Sequence, residues 1–189
     1  RMRPRALHRR LRGGRVLPDL AMRCPASFIR AIRMEMVLRP MLASDAGACA
    51  AIACDSAIGG RYGFEPDSMA AKLSEALASG GVIFVAEIGG RVVGFAWIDP
   101  RGAFSTAPYL RLIAVDANLR GTGVGAALLA EFESRTKEVG RDWCLLVSDF
   151  NEEAVAFYER HGYTKAGGLP GFAREGITEI LMIKKRPRP

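Results

Sequence analysis

Histidines and closely spaced cysteines are scarce in this chain. Of its 189 residues only two are histidine, His8 and His161, and four are cysteine. No two cysteines have the Cys-x-x-Cys spacing of zinc and redox sites, so we expect no metal. We interpret the cysteines as small buried apolar side chains in a reducing compartment, which favours a cytoplasmic protein.

The sequence also lacks long apolar runs. No stretch approaches the ~20 consecutive apolar residues of a membrane-spanning helix. No continuous apolar segment follows the N-terminal charges, as it would in a secretory signal. Hydrophobic residues make up 49% of the chain and charged residues 25%, the balance of an ordinary globular protein. We therefore expect one domain with its own core and no membrane partner.

Acidic residues are nearly absent from residues 1–33, which hold ten arginines and only Asp19 as an acid. The last six residues add a charge of +4, and residues 34–183 carry −6. Because the positive charge lies in two tails, nucleic acid is not an expected partner of the fold. We expect residues 1–33 to be a basic extension, disordered or read from an upstream start, and residues 34–189 to be a single domain. Two alternatives stay open: a basic arm that binds nucleic acid or a partner, and a helix at 26–32 that packs on the domain or on a second subunit of a homodimer.

Apolar periodicity and turn residues predict an α/β fold with a mixed sheet. The predicted elements are, in order, a strand at 36–39, helices from Asp45 and from Pro66, a hairpin over 82–99, a strand at 109–115, a helix at 123–139, a strand at 143–148, a helix after Asn151, and strands at 163–166 and 177–184. We expect Gly59-Gly60 to interrupt the helical pattern and residues 100–108 to form a loop. The strand–helix–strand unit from Tyr109 to Ser148 should be a right-handed parallel crossover.

A glycine-rich turn follows the strand at 109–115 and opens the next helix. Gly121, Gly123 and Gly125 alternate along it after Arg120. Glycine lets a backbone approach a ligand closely, and the first turn of a helix offers unpaired N–H groups and a positive dipole end. Arg120 adds a charged donor. The turn therefore predicts a cradle for a phosphate or pyrophosphate group.

Two other phosphate-binding motifs fit this turn less well. Gly121, Gly123 and Ala126 satisfy the degenerate dinucleotide fingerprint. However, four residues separate Asp116 from Gly121, and the unit follows a hairpin instead of opening a βαβ half. A P-loop is excluded because no Gly-Lys-Ser/Thr closes the turn.

Two segments resemble the GCN5-related N-acetyltransferase (GNAT) family. Arg120, Gly123 and Gly125 match the fixed positions of its Arg/Gln-x-x-Gly-x-Gly/Ala acetyl-CoA motif. The segment 151–163 is similar to its Asn-x-x-Ala-x-x-Phe-Tyr…Gly-Phe/Tyr block. The order of elements from Glu35 to Lys184 also fits, so the resemblance covers about four-fifths of the chain.

The resemblance implies the acyl-CoA N-acyltransferase fold: a mostly antiparallel twisted sheet whose fourth and fifth strands are parallel and splay apart, flanked by about four helices. It implies an acyltransferase that moves an acetyl group from acetyl-CoA directly to a primary amine of a small molecule or protein, without a metal. Tyr158 is implied as the general acid that protonates the leaving thiolate. The implied cofactor-binding residues are Ile113, Ala114, Val115, Arg120, Gly121, Thr122, Gly123, Val124, Gly125, Ala126, Asn151, Phe157 and Tyr158. The alternative is a catalytically silent acyl-CoA-binding sensor or regulatory module on the same fold.

The acceptor and the general base stay open. Many members of the family carry a glutamate on the strand before the glycine turn, where this chain has Tyr109 and Arg111. Three other carboxylates are candidates, namely Glu87, Asp149 and Glu179. Asn151 also has a second interpretation, because asparagine caps helix N-termini without any ligand.

Overall fold

The computed structural model describes residues 35–186. The strands are β1 (Val37–Pro40), β2 (Val82–Ile88), β3 (Arg91–Ala103), β4 (Ala107–Val115), β5 (Asp142–Ser148), β6 (Thr164–Pro170) and β7 (Thr178–Lys185). The helices are α1 (Ala46–Cys54), α2 (Ala57–Tyr62), α3 (Pro66–Ala78), α4 (Val124–Arg135) and α5 (Glu152–Arg160), with 3₁₀ turns at Ala43–Asp45 and Ala117–Leu119. The predicted basic extension, with Cys24 and the candidate helix at 26–32, lies outside the described residues.

All seven strands form one sheet in the order β1-β2-β3-β4-β5-β7-β6. Every neighbouring pair is antiparallel except β4 and β5, which are parallel. These two strands are paired only at Tyr109–Cys144 and Leu110–Leu145, whereas β4 stays paired with β3 as far as Val115. The strands therefore diverge beyond Leu110, and the expected mixed sheet with a parallel splay is confirmed.

The sheet separates two apolar cores. Successive residues of a strand point to opposite faces, and Ile83 and Phe84 of β2 accordingly belong to different clusters. We call the face covered by α1 and α3 the α1 face, and the face covered by α4 and α5 the α4 face. The α1 face buries Cys49, Ala53, Leu73, Val85 and Phe95. The α4 face buries Leu128, Leu129, Phe132, Leu145 and Val155.

Helix α2 was not predicted, because two glycines were read as a break in the pattern. The Ser56 side chain accepts a hydrogen bond from the Gly59 N–H at 3.0 Å and so caps the first turn. Glycine is needed at 59 because a β-carbon there would collide with the carbonyl oxygen of Ala53. The expectation of a break at Gly59-Gly60 was therefore wrong: here Gly59 allows two short helices to pack closely.

The predicted loop at 100–108 was wrong except at residues 104–106, which form the turn between β3 and β4. Strand β3 continues to Ala103, with an irregularity in its pairing around Pro100, and β4 begins at Ala107. Proline is tolerated where the ladder is interrupted, since no N–H is required there. Helix α4 ends at Arg135 instead of Val139, and its C-cap Thr136 already has a non-helical φ of −113°.

Arg39 links β1 to Asp45 and to Glu87 of the neighbouring strand β2. Its guanidinium donates to both carboxylate oxygens of Asp45, at 2.6 and 3.1 Å, and to Glu87 Oε2 at 2.8 Å. Asp45 is 8% exposed, so its charge depends on this partner. The hydrogen bonds from Arg39 lower the pKa of Asp45, against the opposing effect of its burial.

Arg39→Met is expected to lower the free energy of unfolding at pH 7 by about 1–2 kcal/mol. A carboxyl whose pKa is lowered by folding stabilises the fold above its unfolded-state pKa, and loses that contribution as the pH falls through the lowered value. Wild type should therefore approach the variant between about pH 5 and pH 1. Urea denaturation across this range measures the difference. Arg91→Met is the matched control, because the Arg91 side chain is 66% exposed in its ion pair with Asp116. An equal loss in the two variants would contradict the assignment.

Candidate functional site

A cavity of about 660 Å³ lies where β4 and β5 diverge. Residues 110–115 of β4 line it, together with Leu146 and Val147 of β5. Residues 56–58 at the start of α2 also line it, and so do the first turn of α4 and much of α5. Because α2 adjoins α1 while α4 and α5 cover the opposite face, the cavity passes through the sheet.

One edge of β4 contributes main-chain groups to this cavity. Beyond Leu110 that edge has no hydrogen-bonded neighbour on β5, although the other edge stays paired with β3. Ile113, Ala114 and Val115, which the sequence predicted as cofactor-binding residues, all line the cavity. An extended ligand with amide groups can pair with such an edge as a neighbouring strand would.

Backbone conformation requires glycine at two positions of the glycine-rich turn. Gly121 and Gly123 have positive φ angles, 75° and 103°, which side chains rarely adopt. Gly123 is the N-cap of α4, and no side chain caps that helix. The N–H groups of its first turn are therefore available to an anion. Gly125 differs from these two glycines: its φ is not positive, and a β-carbon there would lie in ordinary contact, 3.6 Å from the Phe157 ring.

Two of the predicted cofactor-binding residues do not line the cavity. Val124 is fully buried in the α4-face core. The Thr122 hydroxyl donates to the Leu119 carbonyl at 2.6 Å, and Thr122 is 1% exposed. Their side chains hold the shape of the turn, so only their backbones are left for a ligand.

Arg120 and Asn151 stand on different sides of the cavity. The Arg120 guanidinium donates to the Asp55 carbonyl at 3.3 Å, so it reaches from the glycine turn to the loop before α2. Asn151 accepts a hydrogen bond from the Ala154 N–H at 3.3 Å through its side-chain oxygen. The helix-cap interpretation of Asn151 therefore holds, and the residue lines the cavity as well.

Tyr158 reaches the cavity from α5, on the α4 face. It is 6% exposed and packs edge-on against Phe157 and Tyr163, with ring centroids 5.2 and 5.8 Å away. Burial, with a smaller contribution from Tyr109, raises the pKa of the Tyr158 phenol far above its usual value. The phenol therefore keeps its proton at neutral pH and can act as a donor but not as a base.

Comparison with known proteins agrees with this geometry. Residues 79–165 match the family model for the acetyltransferase (GNAT) domain, a segment that contains both the glycine turn and Tyr158. A solved structure from Desulfovibrio desulfuricans that is assigned to the GNAT family superposes with a TM-score of 0.67. It is 25% identical, and the match covers 79% of this chain and 98% of that one. The chain belongs to the GCN5-related N-acetyltransferase superfamily.

The curated relatives of this GNAT chain match it over shorter lengths than the solved structures do. Blasticidin-S acetyltransferase from Streptomyces morookaense is 35% identical over 77 residues, which are 41% of this chain and 56% of that protein. The chain spans 30–66% of the length of the curated relatives that it matches. The structure of yncA from Salmonella typhimurium with its cofactor acetyl-CoA has a TM-score of 0.61 at 16% identity, and the match covers 82% of this chain and 96% of that one. Similarity at 16% identity indicates a shared fold and nothing more.

The three candidate carboxylates differ sharply in their surroundings within this GNAT domain. Glu87 is held by Arg39, as described above, and Asp149 is exposed at the end of β5. Glu179 is 5% exposed on β7, where it accepts hydrogen bonds from the Ser148 hydroxyl at 3.0 Å and from the Tyr62 hydroxyl. Sequence reasoning missed Tyr62, because it belongs to the unpredicted helix α2. The Ser56 cap was the signal for that helix.

Arg111 does not replace a glutamate in the GNAT site. Its guanidinium lies 5.0 Å from the centroid of the Trp97 ring and 3.9 Å from Asp99 Oδ2. An arginine keeps its proton in proteins, so it offers a hydrogen-bond donor and not a base.

Residues 35–186 contain no group of three or more histidine, cysteine, aspartate or glutamate side chains placed to hold a metal ion. The same residues include no helix long and apolar enough to cross a membrane.

Proposed function

We propose that the chain is an acetyl-CoA-dependent N-acetyltransferase that transfers the acetyl group directly to a primary amine. The observation that carries this proposal is the cavity through the sheet, with an uncapped helix N-terminus and a buried protonated phenol in its walls. Cavity walls drawn from both faces support entry of the cofactor and the acceptor from opposite sides. The blasticidin-S relative supports a small-molecule amine as the acceptor, and a protein amine is the other option.

The cofactor end of the site follows from the cavity walls. The pyrophosphate of coenzyme A would lie on the N–H groups from Gly121 to Ala126, with Arg120 beside it. The pantetheine arm would pair with the free edge of β4 at residues 113–115. Phe157, Tyr158 and Asn151 would close the other side.

Acetyl-CoA supplies an activated acyl group, and residues of this chain perform the remaining tasks. A main-chain N–H of the free β4 edge would hold the thioester oxygen and stabilise the charge that develops there. Tyr158 holds the proton that the departing sulfur needs. A silent sensor has no use for a buried, protonated phenol in this wall, so the site supports an enzyme over the sensor interpretation.

An amine panel tests the proposed activity. With acetyl-CoA, release of free thiol is expected to depend on the added amine, and blasticidin S, lysine and spermidine form an informative first panel. A mass increase of the amine by one acetyl group confirms transfer. If coenzyme A binds but no amine in a wide panel accelerates thiol release, the sensor interpretation is favoured.

Ala126→Glu is expected to weaken coenzyme A binding about 10- to 100-fold by placing a negative charge against the pyrophosphate. The same change should stabilise the free protein by about 0.3–1 kcal/mol, because an acid in the first turn of a helix is favourable. Ala126→Gln is the matched control of similar size without the charge. Calorimetry measures the coenzyme A affinity, and thermal unfolding measures the stability. Equal coenzyme A affinities of the two variants would contradict pyrophosphate binding at this turn.

Tyr158→Phe is expected to leave coenzyme A affinity unchanged and to lower turnover about 10²-fold or more. Tyr163→Phe is the matched control, since it deletes the hydroxyl of a neighbouring buried tyrosine that does not line the cavity. Steady-state thiol release measures both variants. A similar fall in the turnover of the two variants would indicate a packing effect and would contradict the role of Tyr158 as general acid.

A further inference from the structure

Glu179 is a buried carboxylate with one oxygen left without a partner. Both hydrogen bonds that it accepts, from Ser148 and from Tyr62, end on the same oxygen, Oε1. Among the described residues no hydrogen bond reaches Oε2, and no lysine, arginine or histidine forms a salt bridge with this carboxylate. Nor is Oε2 one of the fully buried atoms that lack a partner. The carboxylate therefore keeps one accessible oxygen in an otherwise buried position.

The position of Glu179 relates it to the cavity. Its neighbour across β5 and β7 is Ser148, which directly follows the cavity-lining residues Leu146 and Val147. Its other partner, Tyr62, ends α2, whose first residues also line the cavity. Leu145 and Val147 point into the α4-face core, so by alternation Ser148 points to the α1 face. Glu179 thus lies on the α1 face, across the sheet from Tyr158, next to lining residues of the cavity although it is not one of them.

A buried carboxylate without a cation is costly, and such a group is kept where its charge has a use. The hydroxyls of Tyr62 and Ser148 hold it in place and leave Oε2 open. The nearby phenol of Tyr109 on β4 is also affected: its pKa is raised by burial, with the Glu179 charge as a smaller contributor. The open oxygen Oε2 can therefore accept a hydrogen bond from a positively charged or proton-donating ligand.

We infer that Glu179 binds the primary ammonium group of the acceptor through Oε2 and takes its proton. This inference rests on the proposed acetyltransferase function. One proton passes from the ammonium nitrogen to Oε2, which leaves a neutral amine. The new C–N bond then forms as the C–S bond breaks, and the sulfur takes the proton of Tyr158. The amide nitrogen then loses a second proton, which passes through water to Tyr158 and restores the phenol. Glu179 gives the proton that it took from the ammonium group to bulk water, so one proton is released overall.

Two amines of similar shape distinguish a proton-accepting role of Glu179 from a purely structural role. Ethylamine is an ammonium ion at neutral pH, whereas 2,2,2-trifluoroethylamine is largely a free amine. Glu179→Gln keeps the size of the side chain and an oxygen for Ser148 and Tyr62, but it removes the proton acceptor. The variant should lose about 10²-fold in kcat/KM with ethylamine and less than about tenfold with trifluoroethylamine. Acetyl-CoA affinity, measured by calorimetry, should not change.

The controls make each outcome decisive. Asp149→Asn removes the exposed carboxylate next to Ser148 and should leave both rates within about twofold of wild type. Equal losses with both amines in Glu179→Gln, or no loss with either, would overturn the inference. So would a wild type that acetylates trifluoroethylamine but not ethylamine. If wild type fails to bind acetyl-CoA, or binds it and acetylates no amine of the wide panel, the proposed function itself has failed; that failure appears in wild type and not only in the variant.

Discussion

The register of β4 against β5 is the constraint on which the site depends. Two residue pairs, Tyr109–Cys144 and Leu110–Leu145, hold the parallel strands together, and beyond them each strand follows its other neighbour. A sheet normally buries its main-chain groups in ladders, so an unpaired edge inside a fold requires a partner of another kind. Because the edge opens between two helical layers, one cavity gains main-chain donors, a helix N-terminus and buried side chains from both faces.

Two buried groups on opposite faces of the sheet have different surroundings. Tyr158 is surrounded by aromatic rings, so it keeps its proton. Glu179 accepts hydrogen bonds from two hydroxyl groups on a single oxygen, so its second oxygen stays open. Local packing and hydrogen bonding thus distinguish the proposed proton donor from the proposed proton acceptor.

Local sequence signals predicted the parts of the fold that are locally determined. The turn from Arg120 to Ala126 and the cap at Asn151 were both found, since glycine spacing and capping chemistry act within a few residues. The side-chain roles of Thr122 and Val124 were not, because a motif specifies the backbone of the turn and leaves the direction of each side chain to packing.

Tertiary contacts determined the rest. Gly59 looked like a helix breaker, yet it lies in α2 because Ser56 caps that helix and the Ala53 carbonyl leaves no room for a side chain. The surroundings of Glu179 depend on Tyr62, 117 residues earlier in the chain. No local pattern carries that information, so the sequence could name three candidate carboxylates but could not choose between them.

The two separate cores of the sheet have an evolutionary consequence. Cys49 and Leu73 pack on one face, and Leu128 and Phe132 on the other, with the sheet between them. Substitutions at distant sites that share no contacts are close to additive in their effect on stability. Mutations in α1 to α3 can therefore accumulate without repacking α4 and α5. Such a scaffold can diversify on one side while the opposite side is inherited unchanged.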